Sequence, residues 1–262
     1  MNTAIEGMYA DGTRSERWLF ARQAMPSARV RLFCFPYGGG GASIYRHWQT
    51  ALGSDVEVCP VQPPGRENRY AEPAIDNINA LIDAMLPALH PLFDRPVGFL
   101  GYCVGAGVAY SLAARCAERG HLDLRVLISC ARRAPAHSST IDRRHALPDG
   151  EFAAYVLSLG GTPSAVFEEP PLRAMALRLM RTDLRLSAGI VEPQDARLSC
   201  RIVAIGGQDD ASEPPGLVAD WRRVTRGSFA MHMLSGGHFF LNGQSEQLLK
   251  IVREEISSLM QR

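Results

Sequence analysis

Gly101-Tyr102-Cys103-Val104-Gly105 joins two unlike stretches of chain. Before it, residues 97–100 form an apolar, β-rich run; after it, from Ala106, the pattern is helical. Small residues two positions either side of Cys103 allow a tight strand-to-helix turn, which pushes the central side chain into the open on a strained backbone. A thiol at the head of a helix also stands where the dipole favours thiolate. Glycines flank many buried cysteines, so the pentapeptide alone decides little. What decides its meaning is the company it keeps at other strand ends.

Outward from that turn, strands alternate with helical runs. Val30 to Phe35 reads as a strand, 44–52 as a short helix, 56–61 as a strand, and 75–90 as a helix with apolar residues at Ile75, Ile78, Ile82, Met85 and Leu89. Residues 97–102 are the strand into the turn and 104–119 the helix out of it. Leu124 to Cys130 is near-continuously apolar, as a strand buried on both faces should be. This rhythm predicts an α/β protein with a mostly parallel central sheet, flanking helices and right-handed crossovers.

Between 141 and 195 the rhythm stops. Helical segments at 149–159 and 170–187 have no convincing strand between them and are broken by Gly160-Gly161-Thr162-Pro163. The insert is expected to be a lid over the site, although an ordinary pair of packing helices fits nearly as well. Its apolar residues Phe152, Tyr155, Val156, Leu159, Val166 and Phe167 predict an apolar pocket. The sheet resumes at 202–205, followed by a helix at 216–226, a strand at 229–234 and a final amphipathic helix from Ser245. Residues 1–28 are expected to be a surface extension with a short strand near Trp18-Leu19-Phe20, and 29–262 one domain.

Composition narrows the partners. With 46% hydrophobic residues in 262, the chain has a full core, and a formal charge of +1 argues against nucleic acid. Six scattered cysteines without CxxC spacing predict reduced thiols and no metal. No signal-like start and no 18-residue apolar run is present, so a soluble, cytoplasmic protein without a membrane partner is expected.

Three stretches give Cys103 its context. Tyr37-Gly38-Gly39-Gly40-Gly41 follows the first strand. It lacks the Lys and Ser/Thr of a phosphate-binding loop, which leaves an oxyanion loop or a plain turn. Asp209-Asp210 follows a later strand, and His238 lies in Gly236-Gly237-His238-Phe239 after the last one. Nucleophile, acid, then histidine is the chain order of the α/β-hydrolase fold. His238 would hold and return the thiol proton, and Asp209 or Asp210 would orient it. Backbone N–H groups of Gly38 and Val104 would face the oxyanion. His47, His90, His121, His137 and His145 lie away from strand ends; His232, like Cys34, lies inside a strand, and both are expected to be structural.

Several runs resemble the type II thioesterases of nonribosomal peptide and polyketide assembly. They are Leu32-Phe33-Cys34-Phe35-Pro36-Tyr37-Gly38-Gly39-Gly40, Val61-Gln62-Pro63-Pro64-Gly65-Arg66, Cys130-Ala131-Arg132-Arg133-Ala134-Pro135, Leu159-Gly160-Gly161-Thr162-Pro163 and Gly236-Gly237-His238-Phe239-Phe240-Leu241. The likeness spans about 29–258. It implies an α/β-hydrolase core with a mobile lid and a Cys103-His238-Asp210 triad. The implied substrates are acyl groups on the phosphopantetheine of an acyl or peptidyl carrier protein, with no cofactor of the enzyme's own. Asp210 matches the family's acid better than Asp209. Tyr37 stands where the family usually has His, and Cys103 where it usually has Ser. Tyr37, Tyr102 and Phe239 are expected to line the substrate site, and the protein to act as a monomer. Cysteine leaves two outcomes open, hydrolysis or transfer of the acyl group to a second acceptor; a vestigial binding site is disfavoured by the intact Asp210 and His238.

Overall fold

A computed structural model describes residues 12–120, 122–140, 143–191 and 197–260. Six strands form one sheet: β1 (Val30–Phe35), β2 (Val56–Pro60), β3 (Val97–Tyr102), β4 (Leu124–Cys130), β5 (Arg201–Gly207) and β6 (Phe229–Leu234). Their order is β2-β1-β3-β4-β5-β6, and every adjacent pair is parallel. The expected α/β-hydrolase sheet is thus present, and all of its ladders, rather than most, are parallel.

Alternation along each strand divides the core in two. Phe33, Phe35, Phe99, Leu127, Ile202 and Ala204 face one layer, with helices α3 (Ile78–Leu89) and α4 (Val104–Arg119). Leu32, Cys34, Leu100, Ile128 and Val203 face the other, with α2 (Trp48–Leu52) and α9 (Ser245–Met260). Because β2 and β3 lie on opposite sides of β1, the loops leaving β1 and β3 diverge and open a crevice at their carboxyl ends, the usual ligand position in open parallel sheets. Both the glycine run and Cys103 emerge there.

Element limits follow local chemistry. Asn77 caps α3 by accepting from the Ala80 N–H at 3.0 Å, which starts that helix later than its apolar stripe suggests. Gly120 ends α4 in the left-handed conformation (φ 67°). The expected helix at 44–52 is split into a 3-10 turn, Ala42–Tyr45, and α2. The expected 216–226 helix is α8 (Pro215–Ala219) followed by a 3-10 turn, Asp220–Val224.

The insert holds α5 (Asp149–Ser158), α6 (Ala165–Glu168) and α7 (Pro170–Ala188), with no strand among its described residues; both of its expected limits fall outside them. Phe152, Ala153, Val156, Leu177 and Met180 form a separate small core within it.

The N-terminal segment departs from the expected surface extension, of which 1–11 lie outside the described residues. Helix α1 (Gly12–Trp18) leads to Leu19, which makes one antiparallel bridge to Val61. Trp18 and Leu19 are buried, and the Arg69 guanidinium lies 4.3 Å above the Trp18 ring. Two large apolar side chains in a polar stretch are covered here because they complete the α3 side of the core. Among the described residues no helix is long and apolar enough to cross a membrane.

Candidate active site

Cys103 caps α4 with φ 52° and ψ −115°, a backbone region that side-chain-bearing residues rarely occupy. The flanking glycines are required by space. A Cβ on Gly101 would lie 2.3 Å from the Gly105 carbonyl oxygen, and one on Gly105 would lie 2.2 Å from that of Phe35. The turn is anchored from below by the Cys103 N–H, which donates to the Cys130 carbonyl at 2.8 Å. The other five cysteines are buried, and none of the six is in a disulfide. Burial pushes Cys34 and Cys130 well above the ordinary thiol range, so neither offers a thiolate.

His238 stands beside Cys103. Its Nδ1 lies 2.7 Å from Asp210 Oδ2, and Cys103 is a second hydrogen-bonding partner. Burial pulls its pKa down, but the charge and hydrogen bonds of Cys103 and Asp210 prevail and push it up to about 10. Asp210 is buried while Asp209 is exposed, which separates the two acids that the sequence leaves side by side. Asp210 Oδ1 accepts from the Ser212 N–H at 2.9 Å, the Ser212 hydroxyl at 2.6 Å and the Glu213 N–H at 3.1 Å. Burial works against its charge, yet the bonds from His238, Ser212 and Glu213 hold its carboxyl below the ordinary value. Ser212 Oγ also lies 3.2 Å from His238 Nδ1. Its position two residues after Asp210 is the spacing of an Asx turn, a signal the sequence carried.

Gly38 and Val104 are close neighbours: a Cβ on Gly38 would be 3.0 Å from Val104 Cγ2. Above them is a cavity of about 530 Å³. Tyr37, Gly38 and Phe239 form one side, and Val156, Leu159, Val166 and Met180 of the insert form the other.

Four expected lining residues lie elsewhere, among them Phe167, which packs against the small core of the insert. Tyr102 is 1% exposed; its phenol donates to the His238 carbonyl at 2.6 Å, so it tethers the histidine loop instead of meeting substrate. Phe152 is fully buried beneath Arg181, and Tyr155 packs beside it. Sequence reasoning also passed over Arg66 and Asp183, whose ion pair (2.7 Å) is buried next to the glycine run. It passed over Arg132 as well, a buried guanidinium bonded to Ser187 at 2.9 Å. No group of three or more His, Cys, Asp or Glu among the described residues could hold a metal ion.

Residues 30–256 match the thioesterase-domain family. A Brevibacillus parabrevis protein named linear gramicidin dehydrogenase LgrE is 36% identical over 93% of this chain and 94% of its own length. Among solved structures, the RedJ thioesterase from the prodiginine biosynthetic pathway of Streptomyces coelicolor superposes with a TM-score of 0.83. It is 34% identical over 88% of this chain and 92% of its own. The type II thioesterase BorB from the borrelidin biosynthetic cluster superposes with a TM-score of 0.82, at 34% identity over 91% of this chain and 97% of its own. The elbow, the strand-end acid and histidine, and this family match lead to one conclusion: the chain belongs to the thioesterase-domain family.

Proposed function

We propose that the protein is a type II thioesterase of a nonribosomal-peptide or polyketide pathway. In this reading it takes acyl groups from the phosphopantetheine of a carrier protein onto Cys103 and releases them by hydrolysis. The observation that carries this reading is Cys103 itself, a nucleophile on a strained helix cap, bonded to a histidine whose other nitrogen faces a buried carboxylate. The biosynthetic origins of RedJ and BorB support the pathway class.

The geometry suggests how each step proceeds. With its pKa pushed up to about 10, His238 carries a proton at neutral pH. Sulfur attacks the thioester carbonyl while the Gly38 and Val104 N–H groups face the oxyanion. Collapse expels the phosphopantetheine thiolate, which takes the His238 proton. The acylated sulfur bears no charge and is a poor acceptor for the His238 N–H, so two causes that raised His238 disappear. The imidazole returns toward its ordinary range and becomes a base for water. Asp210 holds the tautomer throughout, and Ser212 and Glu213 occupy its other oxygen.

A second reading has one observation in its favour. An acyl-S-Cys lies near the substrate thioester in free energy, so Cys103 can pass its acyl group to another thiol as readily as to water. One incubation separates the two: loaded carrier, unloaded second carrier and enzyme, with products followed by mass. Hydrolysis predicts free acid as the main product, and a Cys103→Ser variant that hydrolyses at a comparable or higher rate. Loading of the second carrier with little free acid, lost in Cys103→Ser, would replace hydrolysis with transfer. No turnover of either kind would sink both.

A further inference from the structure

The glycine run 38–41 must hold an amide against a developing oxyanion, yet it has no side chain with which to anchor itself. Glycine is also the most costly residue to order, and Gly39 is in the left-handed region at φ 76°. Within the loop only the Gly40 N–H bond to the Tyr37 carbonyl (3.0 Å) closes the turn. Its orientation therefore has to be imposed from outside.

The outside partner comes from the insert. Asp183 of α7 is 4% exposed, on a helix whose other charges point outward or half-outward. Its Oδ2 accepts the Gly39 N–H at 2.7 Å and Arg66 Nη1 at 2.7 Å, while Oδ1 accepts Arg66 Nη2 at 2.8 Å. Arg66 Nη1 also donates to the Gly40 carbonyl at 3.2 Å, and its Nε to the Pro64 carbonyl at 3.4 Å. One bidentate ion pair thus grips the peptide after Gly38 by its N–H and the peptide after Gly40 by its carbonyl. The Gly38 amide sits one peptide away. The gripping carboxylate arrives from 144 residues downstream of Gly39, on the element that also forms the far side of the cavity.

We propose that Asp183, with Arg66, is a positioning residue for the oxyanion loop, so that the site can attack a thioester only while α7 is seated. This rests on the thioesterase reading above. The insert then acts as a catalytic interlock as well as a cover: lifting α7 withdraws the carboxylate, and the glycine loop loses its orientation before any substrate group is misplaced. Cys103 and His238, held by β3 and by the loop after β6, keep their places in either state.

Two rates at Cys103 distinguish this from simple stapling of the fold. Acylation by a small acyl-N-acetylcysteamine thioester builds an oxyanion; alkylation by iodoacetamide does not. Both are measured in the full chain for the wild type, Asp183→Asn, Asp183→Ala and the double variant Arg66→Met/Asp183→Leu. The double variant leaves no unpaired buried charge and keeps the fold measurable. Loss of a single oxyanion donor costs on the order of 10² to 10³ in turnover. Accordingly, Asp183→Ala and the double variant should lose at least about 30-fold in acylation kcat, with KM changed less and alkylation within about twofold of wild type. Asp183→Asn, which keeps one acceptor oxygen, should fall between. Acylation at the wild-type rate in the folded double variant, or acylation and alkylation falling together, would overturn the proposal. A wild-type enzyme alkylated at Cys103 but never acylated would overturn the thioesterase reading and this proposal with it.

Discussion

The two sides of the candidate site are built on different principles. The side bearing Cys103, Asp210 and His238 hangs from the carboxyl ends of parallel strands, where backbone ladders and a close-packed elbow fix each position. The side formed by the insert has no strand among its described residues. Its place depends on side chains: the Asp183–Arg66 pair, the Arg132–Ser187 bond, and Leu186 in the main core. Even within α7 the two halves differ. Residues 170–176 are exposed or half-exposed, with Leu172 at 45% and Met175 at 51%, whereas Leu177, Met180, Asp183, Leu186 and Ser187 are buried. A strand-held side thus faces a side held by side chains, one end of which, residues 170–176, is exposed or half-exposed.

The sharpest test of the strand-borne side is its acid. Asp210→Asn should lower turnover by on the order of 10⁴, the scale seen when a triad loses its carboxylate, measured as steady-state release of acid from a carrier thioester. A drop of less than tenfold would mean that His238 is oriented by Ser212 instead. The elbow comes next. In Gly105→Ala the new methyl meets a backbone oxygen at 2.2 Å. The cost should be about 1–3 kcal/mol, or roughly 2–12 °C in melting temperature. An unchanged melt would show that the elbow has slack.

How much of this was legible beforehand follows the same division. β1, β3 and β4 announce themselves because strands buried on both faces are near-continuous apolar runs, and their limits agree with those read from the residues. Cys103 and His238 were found by their place after strands, and the buried–exposed contrast decides between Asp210 and Asp209. Asp183 was not legible. In sequence it is one more charge on an amphipathic helix, and its partner lies 117 residues away. The burial of Trp18 was not legible for the opposite reason: Trp18-Leu19-Phe20 reads as a short strand on the surface, and three residues are too few to show a period that marks a covered face. Tyr102 was misread because side chains alternate along β3, and the register that sets Cys103 at the open end turns its neighbour inward.

Smaller effects sharpen the contrast further. Amides of residues 172–176 should exchange on the order of tenfold faster than those of 177–188, and β4 should be slower than both; equal protection along α7 would make the insert as fixed as the sheet. Stability should also report the histidine. His238 rises from 6.5 to about 10 on folding, so its contribution is complete below the lower value and is lost as pH climbs through the upper one. Urea midpoints of the wild type should therefore fall relative to His238→Gln between pH 7 and 10, and parallel curves would contradict the ion pairing. The least effect belongs to Asp209→Asn, exposed and outside the His238 contact, which should leave turnover within about twofold.

The central claim is that Cys103 carries the acyl group. Intact-mass analysis of the enzyme, quenched in acid at short times after mixing with an acyl-phosphopantetheine carrier protein, tests it most directly. The wild type should gain the mass of the acyl group, localised by peptide mapping to the segment containing Cys103, and Cys103→Ala should gain nothing. An adduct of the same mass in Cys103→Ala, or acid release by the wild type with no adduct at any time and full activity in Cys103→Ala, would contradict the account.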